Sequence, residues 1–374
     1  MSKWPGKTII GLTGNIATGK SVVRRMLEHL GAYSIDADAL SHRAIAKGAP
    51  GYQPVVDLFG KWILGKDGEI DRAKLASLVF RDAQALGQLE DIIHPLVIQA
   101  ADLFIRRSVQ QVVVIEAIKL LESNLKTECD TLWVTYAPEE VQVQRLMRKR
   151  GLSRDASLER IHAQSAQTEK ISAASVVIRN AGSYDELWKQ VTEAWKKISP
   201  TSDTLPIIRT EATGEITIQR GRPRDSQAIA ELITRLSAGL RPMSAEQVME
   251  SFGEKAYLLV RSGENLIGLA GWQVENLVAR TTDIFIQSGT AHEQALEALI
   301  NEMERASHDL QSEASLIFPP ADLAESAVFK KLGYEKRTPQ TLGVQAWQDA
   351  AIESTSGGTL YFKQLRSDRV LRPI

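Results

Sequence analysis

Residues Gly14-Asn15-Ile16-Ala17-Thr18-Gly19-Lys20-Ser21 fit the pattern G-x-x-x-x-G-K-[ST], and they stand between two runs of opposite character. An apolar, β-branched run from Thr8 to Leu12 leads in, and a helix-favouring run from Val22 to Leu30 leads out. That context dictates strand, loop, helix. The loop's N–H groups and the positive end of the following helix can together cradle a triphosphate. Glycine at both ends lets the backbone curl around phosphates without a Cβ in the way. The expected binding stretch runs from Gly14 through Val22, with Lys20 reaching the β and γ phosphates and the Ser21 hydroxyl holding Mg²⁺.

A chain of 374 residues exceeds one ordinary core and implies at least two domains. A net charge of −1 gives no reason to expect a nucleic-acid or anionic-membrane partner. The single cysteine, Cys129, excludes an internal disulfide framework and suits a reducing compartment; it reads as a small buried hydrophobe. No apolar run has signal-peptide character or the length to span a bilayer, so the expectation is no membrane and a cytoplasmic location.

Residues 1–198 alternate strands and helices, the pattern of a parallel sheet covered on both faces. Strands are expected at Thr8–Thr13, Ala32–Ile35, Gln111–Ile115, Thr131–Tyr136 and Ser175–Ile178. Helices are expected at Ser21–Leu30, Leu40–Lys47, Arg72–Phe80, Pro95–Ser108, Glu139–Arg150 and Tyr184–Ile198. The two in the long gap after the second strand suggest an inserted helical subdomain suited to an acceptor substrate. Residues 199–214, rich in Pro, Ser and Thr, read as a linker. Residues 215–374 then show shorter strands and one strongly periodic helix, His292–Ser307, as in an α+β domain with a mostly antiparallel sheet.

Phosphoryl transfer needs a held triphosphate, a metal, an acceptor in line and positive charge over the transferring group. Asp36-Ala37-Asp38 immediately follows the second expected strand, taken to adjoin the loop strand, where doubly wound folds bind ligands. One carboxylate can accept or orient an acceptor hydroxyl's proton and one can help hold Mg²⁺; the bland alternative is a helix cap. Arg145, Arg148, Lys149 and Arg150 close a helix before Gly151. They are either a solvated face made favourable by the helix dipole or a lid whose guanidinium meets transition-state charge.

At this point the residues resemble a family. Residues 8 to about 197 are similar to the dephospho-coenzyme A kinases through the phosphate loop, Asp36-Ala37-Asp38, Leu89 to Pro95, Arg145-Leu146-Met147, Arg160 to Lys170, and Val177-Ile178-Arg179-Asn180. The resemblance implies a P-loop kinase domain that moves the ATP γ-phosphate to the ribose 3′-hydroxyl of dephospho-CoA. It implies Asp38 as base and metal partner, Asp36 and His94 as acceptor contacts, and Lys20, Arg145 and Arg148 as catalytic cations. His94 can equally cap a helix started by Pro95. The competing readings are another small-molecule P-loop kinase and an ATP-gated scaffold without catalysis. The chain departs from the family in its glycine-poor loop, where Ala17 needs a φ compatible with a Cβ, in Ile118-Lys119 after the third strand, and in Lys149.

Residues 215 to about 365 resemble a GNAT acyltransferase domain through the strand Ile218–Arg220 before an Asp225-capped helix, and through Ala327 to Glu335. The family's Arg- and Gly-rich pyrophosphate turn is not matched by Gln287-Ser288-Gly289-Thr290-Ala291-His292, which holds one glycine and no arginine. The expectation is a degenerate domain that senses CoA or supports an oligomer, with Tyr334 and Glu335 serving packing and surface.

Overall fold

The computed structural model describes residues 3–79, 81–199, 216–289, 292–354 and 358–367. The expected linker from Pro200 to Gly214 therefore lies outside the described residues. Two compact units divide the described chain: one is drawn from residues 3–20 and 33–181, the other from residues 21–32 and 182–367.

In the first unit β1 (Thr8–Thr13) runs through the Gly14–Gly19 loop to α1 (Lys20–His29), whose residues from Ser21 onward go with the second unit. β2 (Tyr33–Asp36) follows, then α2 (Ala37–Ala44), α3 (Tyr52–Phe59), α4 (Arg72–Val79) and α5 (Ala83–Arg107). Next come β3 (Val112–Glu116), β4 (Thr131–Tyr136), α6 (Glu139–Arg150), α7 (Arg154–His162), α8 (Gln167–Ala173) and β5 (Val176–Arg179). The five strands form one parallel sheet in the order β2-β3-β1-β4-β5. All five side chains of β3 are buried, which is why its sequence, Val112-Val113-Val114-Ile115, is continuously apolar rather than alternating.

The strand order corrects one expectation. β2 pairs with β3, not with β1, so Asp36 ends a strand one place out from the phosphate loop. Register nevertheless aligns the strand ends, because Leu12 and Asp36 both pair with Glu116.

α5 is the largest departure from expectation. Pro95 lies inside a 25-residue helix instead of starting one, and the true start is capped by Asp82, whose side chain accepts from Gln84 N at 2.9 Å and Ala85 N at 3.1 Å. An interior proline costs about 3 kcal/mol. The buried face of Leu89, Ile93, Val97, Ala101 and Phe104 runs unbroken past it. Each large apolar side chain there contributes about 1.5–3 kcal/mol on burial, so packing outweighs the break. α3 and the first half of α5 complete the inserted helical subdomain.

The second unit takes α9 (Tyr184–Ile198), begun by a Ser183–Glu186 capping box, then β6 (Ile216–Arg220), α10 (Ser226–Leu236) and α11 (Ala245–Ser251). β7 (Ala256–Ser262), β8 (Asn265–Glu275), β9 (Val278–Ile286) and α12 (His292–Asp309) follow. β10 (Ala314–Ile317), α13 (Ala327–Lys331), β11 (Glu335–Arg337), α14 (Gln345–Ser354) and β12 (Leu360–Gln364) complete it. Its seven strands lie in the order β11-β12-β10-β9-β8-β7-β6, antiparallel except for the parallel pair β9–β10.

Period-two alternation builds two cores from one strand. In β7, Tyr257 and Leu259 join Ile229, Ile233 and Phe252, whereas Leu258 and Val260 join Leu296, Leu299 and Met303 of α12. The stretch of α1 from Arg24 to His29 is buried, and two of its side chains bond within this unit: Arg25 Nη1 donates to Val274 O at 3.2 Å, and His29 Nε2 lies 3.1 Å from Phe252 O. Asp225 does not cap α10 with its side chain, since its carboxylate accepts from Arg222 N at 2.8 Å instead.

Candidate active site

The phosphate loop is held from several sides. Its ends are glycines of positive φ, +152° at Gly14 and +90° at Gly19. A Cβ on Gly14 would stand 2.2 Å from Thr135 Oγ1, so that glycine is demanded by space as well as by φ. Thr18 is wholly buried and its hydroxyl bonds Asn15 O at 2.7 Å and Thr135 Oγ1 at 2.8 Å. Asn15 Nδ2 donates to Ser165 O at 2.9 Å. Ile16 and Ala17 pack on Val143, Leu146 and Ile161 of the helices α6 and α7. The Ile16 N–H donates to Gln164 Oε1 at 2.6 Å. The first N–H groups of α1 have no intrahelical acceptor, and Ser21 in that first turn is exposed. Val22, next along, is half-buried and has no polar side-chain atom, so only its backbone could donate to an anion.

Lys20 is 9% exposed, and its Nζ donates to Gly14 O at 2.9 Å. Burial pushes its pKa down, opposed by the charges of Glu116, Asp38 and Asp36. Asp36 and Asp38 divide their labour. Asp36 is the N-cap of α2 and accepts from Ala39 N at 2.9 Å. Asp38, in the first turn of that helix, points elsewhere: its Oδ2 accepts from Ile118 N at 3.1 Å, just beyond β3. Burial and the neighbouring Asp36 raise the Asp38 pKa, against the Ile118 N–H, Lys20 and Lys170. A carboxylate so placed takes a proton more readily than a free aspartate.

Two groups in this cluster carry more weight than the sequence suggested. Lys170 on α8 is 2% exposed, its Nζ donates to Ile118 O at 3.0 Å, and burial lowers its pKa. Glu116, 5% exposed at the C-terminal end of β3, is the strongest charge favouring protonated Lys20. An acidic residue ending a fully apolar strand next to the loop strand was the available signal for Glu116. Lys170 ends the segment from Arg160 that resembles the family, but its contact with a backbone carbonyl more than fifty positions earlier is not legible in the sequence.

Asp38 opens onto a cavity of about 620 Å³. His94, mid-helix on α5, lines it together with His42, Arg72, Glu122 and Lys170 over an apolar floor that includes Leu89 and Ile93. The alternative of His94 as a cap for a Pro95-started helix is thereby overturned. The cavity lining thus combines charged and polar side chains with apolar ones, as an acceptor with both kinds of surface requires.

The basic cluster splits. Arg145 is half-buried, with Nη1 donating to Ala17 O at 3.1 Å and Nη2 to Asn180 O and Oδ1 at 3.0 Å each. Arg148, Lys149 and Arg150 are exposed in the last turn of α6, which Gly151 ends at φ +62°. Cys129 is partly buried, its thiol pushed up to about 12 by burial and by Asp130 and Glu128. Among the described residues no group of three or more His, Cys, Asp or Glu could hold a metal by itself, and no helix is long and apolar enough to cross a membrane.

In the second unit, two N–H groups flanking the turn before α12 are engaged, one of them by strand β8. Gln287 N donates to Ile267 O at 2.8 Å and His292 N to Gly289 O at 3.1 Å; Thr290 and Ala291 lie outside the described residues. Tyr334 is 3% exposed with its hydroxyl 3.0 Å from Ser315 Oγ, and Glu335 is on the surface, as expected.

The dephospho-CoA kinase family model matches residues 8–186. The dephospho-CoA kinase of Carboxydothermus hydrogenoformans is 42% identical over 198 residues, covering 50% of this chain and 94% of that protein. The crystal structure of TT1252 from Thermus thermophilus is 34% identical, with a TM-score of 0.48, covering 52% of this chain and 98% of that one. An acetyltransferase of the GNAT family from Staphylococcus aureus is 11% identical, with a TM-score of 0.33, covering 40% of this chain and 99% of its own.

Proposed function

The chain belongs to the dephospho-CoA kinase family, and from that premise we propose that it transfers the γ-phosphate of ATP to the ribose 3′-hydroxyl of dephospho-CoA. The observation that carries the proposal is Asp38, a carboxylate of raised pKa oriented by the Ile118 N–H, lining a cavity and close enough to the buried Lys20 for their charges to interact. The loop amides and Lys20 hold the triphosphate. The acceptor occupies the cavity with His94 toward it and its 3′-hydroxyl at Asp38, while Asp36 serves it indirectly by capping the helix that carries Asp38. As the new O–P bond forms and the γ-phosphate leaves ADP, Asp38 takes the hydroxyl proton. Lys170 and Lys20 keep the protonated Asp38 from being too weak an acid to release that proton afterwards. Arg148, exposed at the end of α6, supplies the lid cation.

The exposed Ser21 hydroxyl and Asp38 would hold Mg²⁺, which neutralises phosphate charge. We place the reaction in the cytoplasm, where ATP is supplied and a lone thiol stays reduced. For the second unit we propose an acyltransferase-type fold without a phosphate grip, supported by the sequence from Gln287 to His292, which holds one glycine and no arginine. Acetyl-CoA offered with amines should release no thiol above background.

The deciding assay offers the full chain ATP, Mg²⁺ and dephospho-CoA and measures ADP and CoA together. Equimolar appearance of both is expected. ADP no faster than with ATP alone would remove the proposal.

A further inference from the structure

The phosphate loop contains a conformation that its own residues resist. Ala17 sits at φ +59°, in the left-handed region that disfavours a Cβ, within a loop whose only glycines are at its ends. Inside the loop the Asn15 carbonyl accepts from Thr18 N at 3.3 Å and from Thr18 Oγ1 at 2.7 Å, and two side chains from outside reach the same turn. The Ala17 carbonyl accepts from Arg145 Nη1 at 3.1 Å, and the next carbonyl, of Thr18, accepts from Asn180 Nδ2 at 2.9 Å. Arg145 Nη2 in turn fixes Asn180 through both its backbone and its side-chain oxygen, at 3.0 Å each. Asn180 lies so close over the loop that a Cβ on Gly19 would fall 1.9 Å from its Nδ2. In a trans peptide the C=O and the following N–H point opposite ways. Drawing the Thr18 carbonyl toward Asn180 therefore turns the Gly19 N–H to the other side.

We propose that Arg145 and Asn180 are positioning residues that act on the phosphate loop from behind, holding Ala17 and Thr18 so that the loop's amides face the triphosphate. Arg145 then works through backbone carbonyls and not by touching the transferred phosphoryl group. The planar guanidinium suits this role, because one edge reaches Ala17 while the other grips Asn180. The pair does for this loop what additional glycines would do by lowering the cost of the left-handed turn. The inference rests on ATP being the ligand of the loop.

The test is a cycle of four full-length proteins: unsubstituted, Arg145→Ala, Ala17→Gly and the double variant. ATP affinity is measured by calorimetry and kcat by ADP release at saturating ATP. Arg145→Ala should weaken ATP binding at least about tenfold, a change of about 1.4 kcal/mol, when Ala17 is retained. In the Ala17→Gly background, where the left-handed turn costs little, the same substitution should cost less than about threefold. At saturating ATP, kcat should change less than about threefold in both. Equal losses of affinity in the two backgrounds overturn the proposal. So does a fall in kcat with ATP affinity unchanged, the signature of a transition-state contact. Should Arg145→Ala fail to fold, Asn180→Ala enters the same cycle under the same criteria. Absence of ATP binding by the unsubstituted chain would instead overturn the ligand assignment beneath it, so the two failures are distinct.

Discussion

His29 ties the stability of the second unit to pH by a calculable amount. Its ring is 4% exposed, wedged edge-on between Phe252 at 5.4 Å and Trp188 at 6.3 Å between ring centres. Nε2 faces the Phe252 carbonyl oxygen at 3.1 Å, which requires the neutral ring to carry its hydrogen there. Burial pushes the pKa down to about 3, helped by the Arg220 and Arg25 charges and opposed by the Phe252 carbonyl and Glu28. A histidine in the unfolded chain titrates near 6.5. Below that pH only the unfolded chain takes up the proton, so the folded form loses about 1.4 kcal/mol per pH unit until about pH 3. The stabilisation from the neutral buried ring is thus complete above pH 6.5 and is lost as the pH falls. Between pH 7.5 and 5.5 the loss from this one residue comes to about 1.4 kcal/mol. The control is His29→Gln, which keeps a donor for Phe252 and cannot titrate. Urea unfolding followed by tryptophan fluorescence at both pH values should show the unsubstituted chain losing about 1.4 kcal/mol more than the variant. Equal losses would refute the reasoning, since they would mean that the ring meets solvent or is protonated while folded.

Asp38→Asn should lower kcat by about 10²–10⁴ while ATP affinity stays within about threefold, measured by ADP release and calorimetry. Because the Asp38 pKa is raised, the acid limb of the unsubstituted kcat profile should fall at higher pH than a free aspartate titrates, and the asparagine variant should lack that limb. Gly19→Ala combines a φ of +90° with a Cβ 1.9 Å from Asn180 Nδ2. Strain of at least about 2 kcal/mol should weaken ATP binding about thirtyfold or more, with the circular dichroism spectrum retained. Cys129, its thiol pushed up to about 12, should have about one thiolate in ten thousand at pH 8. Iodoacetamide should label it slowly in the native protein and quickly in urea; equal rates would contradict the burial.

Some of this molecule is local and therefore readable. β1, β4, α6 and α9 begin and end where expected, because a buried apolar run, Pro138 before Glu139, Gly151 after Arg150 and the Ser183–Glu186 box are punctuation held within a few residues. The neighbouring strands β2, β3 and β5 each sit one residue later than expected, since a sheet's hydrogen bonds decide their ends. Local reasoning divides α5 at Pro95, because a rule about proline cannot count the apolar face that carries the helix through.

The same division runs through the site. Spacing alone determined the phosphate loop, with Lys20 and Ser21 in it, since one turn of loop and one of helix fix those positions relative to each other. Placing Asp38 against Ile118, bringing Lys170 to the same carbonyl-lined corner and setting Arg145 and Asn180 behind the loop needed the folded chain. Those partners are separated by 80, 52, 128 and 162 positions respectively. The residues from Ser21 to Ala32 go with the second unit for the same reason: their buried partners, Val274 and Phe252, lie more than two hundred residues away. Periodicity and spacing encode what a few consecutive residues do to one another. Burial and charge pairing between distant segments are settled only when the chain closes on itself.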